Sequence, residues 1–144
     1  MNSLNSLLIR INDSKSGYKE VAEQVGSDAY KDLFAQYAAQ RKRFSSEIEN
    51  EVRMLGAVPE QGTSIKGDIH QLWIDIRALL SRHNDDDMLI ECERGEKALI
   101  DAYETVLSDE SVVLPPSTRG LLLDQLAAVH SSLERMRSLN MVAA

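Results

Sequence analysis

The sequence predicts an all-α protein, and three observations carry that prediction. Apolar residues recur at spacings of three and four through five separate segments. No segment alternates with period two over a useful length. Most of the seven glycines and three prolines fall between the periodic segments rather than within them.

The first segment, near 3–25, carries Leu4, Leu8, Ile11, Tyr18, Ala22 and Val25 on one stripe, and Gly26-Ser27-Asp28 ends it with a glycine followed by capping residues. The second, near 28–55, carries Tyr30, Leu33, Tyr37, Phe44, Ile48, Val52 and Leu55. Gly56 to Gly62 is a loop, with Thr63 or Ser64 expected to cap the next helix. That shorter segment, near 64–81, carries Ile65, Ile69, Leu72, Ile76 and Leu79, with Trp73 beside them. Asn84 or Asp85 is placed to cap the fourth, near 85–107, whose stripe is Leu89, Cys92, Leu99, Tyr103 and Val106. Asp85-Asp86-Asp87 favours the positive end of that helix and lacks the alternating ligands and glycine of a calcium loop. Pro115-Pro116 closes that segment and opens the last, near 117–139, with Leu122, Leu126, Val129, Leu133 and Met136.

Composition bounds the class. A chain of 144 residues, 43% hydrophobic and 27% charged, suits one domain spanning 1–144 with one packed core. Against 16 basic side chains stand 23 acidic ones, and a net charge of −7 repels phosphate backbones, so no nucleic-acid partner is expected. The single cysteine, Cys92, excludes an internal disulfide and reads as a buried apolar residue. With no membrane-length apolar run and no signal-peptide pattern at Met1-Asn2-Ser3-Leu4-Asn5, the expected location is cytoplasmic, with no membrane partner.

Four long helices with short first and last connections imply two antiparallel hairpins, 3–55 and 85–139. The stretch 56–84 crosses between them with its own short helix. That is the ferritin-like form of the four-helix bundle. An internal duplication fits it: Gly17-Tyr18-Lys19-Glu20-Val21 is similar to Ala102-Tyr103-Glu104-Thr105-Val106, and Phe44-Ser45-Ser46 takes the place of His130-Ser131-Ser132.

Each apolar stripe is interrupted near its middle: at Ser14/Lys15, at Arg41, at Glu96 with Glu93 one turn earlier, and at His130. Antiparallel helices of matched length bring these midpoints to one height, which predicts a polar layer of Lys15, Arg41, Glu93, Glu96 and His130. Ferritin-like proteins keep a dinuclear metal site at that level, built from a Glu on each of two helices and Glu-x-x-His on each of the other two. Here Arg41 and Phe44 stand where the first Glu-x-x-His belongs, and Ala127 and His130 stand for the second. No glutamate precedes Glu20. The ligand set is incomplete, so no cofactor is expected; the alternative is iron held atypically by Glu93, Glu96 and His130.

Gly17-Tyr18-Lys19-Glu20-Val21-Ala22-Glu23, Gln40-Arg41-Lys42-Arg43-Phe44, Glu93-Arg94-Gly95-Glu96, Leu55-Gly56-Ala57-Val58-Pro59, Gly67-Asp68-Ile69-His70 and Trp73 resemble the signatures of an uncharacterised bacterial family of ferritin-like four-helix-bundle proteins. The resemblance runs from about Leu4 to Leu139. It implies a cytoplasmic ferritin-like bundle and brings no established activity.

Arg41 is expected to contact Glu96 or Glu93 as a buried pair that replaces the metal as a bridge between helices and fixes their register. His130 is hydrogen-bonded structure rather than a ligand, and His70 and His83 share no ligand spacing. Glu20/Glu23 and Glu47/Glu51 are solvated faces. Trp73 is either a packed residue or an exposed anchor for self-association. No phosphate loop, Cys-x-x-Cys, nucleophile elbow or zinc-protease motif occurs. The expected role is a non-catalytic structural or protein-interaction one, with homo-oligomers as possible partners; the rivals are iron storage or oxidation and binding of a small ligand in the bundle core.

Overall fold

The computed structural model describes residues 2–143 and contains five helices: α1 (Asn2–Gln24), α2 (Asp28–Met54), α3 (Gly67–Ser81), α4 (Asp85–Ser108) and α5 (Pro116–Ala143). No strand occurs among the described residues. The four long helices have 23, 27, 24 and 28 residues, or about 35–42 Å each. None of the helices is long and apolar enough to cross a membrane.

Local chemistry sets the boundaries. Ser27 caps α2, its side chain accepting from Tyr30 N–H, and Asn84 caps α4 by accepting from Asp87 N–H. Pro116, with no N–H to leave unpaired, is the first residue of α5. The third helix departs from expectation. It begins at Gly67, and its N-cap is Lys66, which makes no side-chain cap bond. Ser64 instead donates its N–H to Asp13 Oδ1 at 2.8 Å, which ties the chain to α1 in extended form. Gly67, the first residue of the helix, makes the turn into it with φ 91°. Ile65, expected on the apolar stripe, precedes the helix and is 84% exposed.

Cross-helix contacts give the directions. On α1 and α4, Ser3 meets Asp109, Tyr18 meets Glu96, and Gly26 approaches Asp85, so the two helices are antiparallel. On α2 and α5, Arg41 meets Ser132 and Glu51 meets Thr118, which is again antiparallel. The crossover runs along α1 in the direction of that helix. Asn5 holds Val58 O and Glu60 N–H, Asn12 donates to Gly62 O, and Asp13 receives Ser64. From there α3 packs against α1 and α4.

Two apolar clusters result. One is built on Leu4, Leu8, Ile11, Phe44, Ile48, Leu99, Tyr103 and Leu122. The other is built on Tyr18, Val21, Phe34, Trp73, Ile76, Met88, Cys92 and Met136. Phe34, not Leu33, is the buried member of its turn. Trp73 belongs to the second cluster and is 5% exposed, which removes the reading of it as an exposed interface anchor. Its ring meets Tyr18 edge-on at 5.4 Å between centroids.

Trp73 fits because position 17 has no side chain. A Cβ there would stand 2.0 Å from the indole, whereas a Cβ at Gly95 would meet nothing nearer than 3.5 Å. Gly17→Ala is therefore expected to cost about 1–3 kcal/mol or more through overpacking. Gly95→Ala should be neutral or stabilising by up to about 1 kcal/mol, since alanine is the better helix former. Urea denaturation of both variants checks the contrast.

Candidate functional site

The level between the two apolar clusters is polar, and one residue dominates it. Arg41 lies on the inward stripe of α2 with Phe34, Phe44, Ser45, Ile48 and Val52. Glu96 lies on that of α4, between Cys92 and Leu99/Ile100. Both side chains are 0% exposed. Of the two carboxylates expected near Arg41, it is Glu96 that receives it. Arg41 Nη1 donates to Oε1 at 2.8 Å and Nη2 to Oε2 at 2.7 Å, a bidentate fork.

The remaining donors are also matched. Nη1 donates to Ser14 Oγ and Nη2 to Ser132 Oγ, each at 3.2 Å, and Nε donates to Gln40 Oε1 at 3.1 Å. A guanidinium has five N–H donors, and each has an acceptor here. Glu96 Oε1 also accepts from the Tyr18 hydroxyl. The guanidinium carbon lies 5.4 Å from the Tyr18 ring centroid. Ser14 and Tyr18 come from α1, Arg41 from α2, Glu96 from α4 and Ser132 from α5, so every long helix contributes.

Burial would lower the pKa of Arg41, but the Glu96 charge and its hydrogen bonds more than offset this and hold it raised. Tyr18 is pushed up by burial and then by the negative charge of Glu96, so its phenol stays neutral and donates. The same two causes push up Cys92, which leaves an unreactive thiol. A neighbouring link runs from Tyr103 OH to Gln125 Oε1 at 2.6 Å, and from Gln125 Nε2 to Phe44 O and Glu47. Burial raises Tyr103 as well.

The other residues expected in this layer lie elsewhere. Lys15 is half-buried at the α1/α2 edge and takes no part in the pair. His130 is exposed. Gln125, Val129, Ser132 and Met136 form the inward face of α5, and the residue after Val129 is rotated about 100° away from it. Glu93 sits on the α4/α5 flank, accepting from Arg137 Nε at 3.1 Å and Asn140 Nδ2 at 2.8 Å, with Lys97 at 3.7 Å. Partial burial opposes ionisation of Glu93, yet the Asn140 and Arg137 hydrogen bonds outweigh it and lower its pKa. Tyr18 and Tyr103, matched in the duplication, are both fully buried. The match of α2 with α5 does not keep faces, since buried Arg41 is set against exposed Ala127.

These donors do not fit the dinuclear metal of a ferritin-like centre. A cation already fills the mid-bundle, both oxygens of Glu96 are engaged, and His130 and Glu93 face away from them. Among the described residues no three His, Cys, Asp or Glu side chains gather to hold a metal ion.

Residues 1–109 match the family described as Domain of unknown function (DUF2383). The chain belongs to that family. The matched residues run from α1 to the end of α4 and include Ser14, Tyr18, Arg41 and Glu96; Ser132 on α5 lies beyond them. No curated protein matches the chain.

Arg41→Met is expected to lose about 3–5 kcal/mol, because Glu96 is left buried and unpaired. Arg41→Met/Glu96→Leu should regain most of that loss in the same denaturation measurement. Equal losses in the single and double variants would dismiss the pair as the governing constraint.

Glu93 carries a pH prediction. Its folded pKa is depressed, so its contribution is full above the usual carboxylate pKa of about 4.3 and vanishes as pH falls through the folded value. Glu93→Gln should be less stable than the parent at neutral pH and indistinguishable from it in strong acid, by thermal melts across pH.

Proposed function

We propose that this DUF2383 chain is a ferritin-like bundle in which an arginine–glutamate pair stands in the metal position, and that it serves as a non-catalytic structural or interaction protein of the bacterial cytoplasm, able to associate with copies of itself. The up-down-down-up order of α1, α2, α4 and α5, with a crossover running the length of α1, supports the ferritin-like reading. The single observation that carries the loss of metal chemistry is the saturation of Arg41, whose donors are all taken by partners within the bundle.

The physical logic is substitution of one bridge by another. Two metal ions between four helices need several anionic oxygens to balance their charge. One carboxylate balanced by one guanidinium needs no ion and still joins opposite helices. Such a pair adds little net stability compared with apolar packing, but it tolerates a single arrangement of its donors and acceptors. In this reading the pair fixes helix register and keeps the outer faces in one geometry.

Metal analysis after anaerobic loading with ferrous iron tests this reading. The expected result is substoichiometric iron that does not change in Glu96→Gln. Near-stoichiometric iron with oxidase activity, lost in Glu96→Gln or His130→Ala, would overturn it in favour of an iron protein using Glu93, Glu96 and His130.

A further inference from the structure

On the outer side of the first hairpin, Lys15, Ser16 and Lys19 of α1 face Ala38, Ala39 and Lys42 of α2 across a cleft of about 410 Å³. None of these three lysines appears in any of the chain's ion pairs among the described residues, although acids outnumber bases by seven. Residues 1–55 carry eight basic and eight acidic side chains, so the surplus of negative charge lies entirely in residues 56–144. The cleft is therefore a local positive field on an acidic protein. Lys15 and Lys19 are four residues apart on one helix, a spacing at which like charges repel. With Lys42 opposite, no carboxylate among the described residues stands within ion-pair distance of the three ammoniums.

We propose that this cleft binds a compact, multiply charged anion of the phosphate type. Lysine ammoniums act as point charges towards phosphate oxygens, and Ser16 adds a hydroxyl at the same rim. Ala38 and Ala39 give a shallow floor that lets a small group approach both helices. The cationic stretch is short. Where the trough continues past Lys19 it is lined by Glu23 and Asp32 together with Lys31, and these carboxylates oppose an extended acidic polypeptide lying along it. High charge density in a small volume fits the cleft; a long acidic strand does not.

Titration calorimetry of the full chain with inorganic tripolyphosphate tests the site, in about 0.1 M salt, where the screening length is about 10 Å. One saturable site is expected, weakened at least about tenfold in Lys15→Gln/Lys19→Gln/Lys42→Gln. The variant Lys66→Gln/Arg82→Gln/Arg94→Gln removes the same charge elsewhere and should leave binding unchanged. Ala38→Glu, which places a carboxylate in the cleft, should abolish binding while circular dichroism shows the helices intact. Vesicles of phosphatidic acid in phosphatidylcholine form a second arm: binding there, lost in the same triple variant, assigns the phosphate to a lipid headgroup, whereas binding of tripolyphosphate alone assigns it to a soluble ligand. Failure to bind either, equal weakening by the control variant, or equally tight binding of hexaglutamate would overturn the proposal.

Discussion

The bidentate contact of Arg41 with Glu96 is the constraint around which the bundle is arranged. Two charged groups withdrawn wholly from water are tolerated only when each finds its counter-charge and its remaining hydrogen bonds. Here the demand is met by Ser14, Gln40 and Ser132 on the cation and by Tyr18 on the anion. With Arg41 and Glu96 themselves these groups lie on four helices, so the heights of all four are coupled. A slip of one helix by a turn, about 5.4 Å, would strand at least one member of the network. Apolar packing above and below tolerates such slips far better, because it is non-directional.

Much of the remaining architecture accommodates that layer. The apolar core is split into two clusters, one on either side of it. The cluster nearer the α1/α2 turn gains its bulk from Trp73 on α3, and the short helix seats there because Gly17 leaves room for the indole. Tyr18 joins both parts, with its ring among Phe34, Tyr37 and Trp73 and its hydroxyl on Glu96. The crossover is held differently, by side-chain amides and a carboxylate of α1 bonding its backbone, which suits a segment with few apolar residues of its own.

Some of the surface charge is answered locally. Acids near the surface engage neighbouring cations, as at Glu93 with Arg137, Glu91 with Arg94 and Glu20 with Arg77. Such exposed pairs add little to stability and mainly keep the faces solvated. Lys15, Lys19 and Lys42 of the first hairpin take no part in these pairs, and the surplus of acids lies in residues 56–144. That imbalance, more than the net charge, distinguishes one face of the molecule chemically.

Helix existence and order were legible in the sequence because a 3.6-residue period survives in any amphipathic helix and because Ser27, Asn84 and Pro116 announce helix ends through local chemistry. The polar interruptions at Arg41 and Glu96 were equally legible, since charged residues on an apolar stripe must be answered somewhere. Which residues answered them was decided by tertiary structure. Periodicity carries a tolerance of about one residue, or about 100°, and that is the difference between Val129 in the core and His130 in solvent. The start of α3 depended on a long-range bond to Asp13, and the burial of Trp73 on a glycine in another helix. Spacing along one chain fixes which face of each helix is apolar; only the packing of helices against one another decides which polar groups share it.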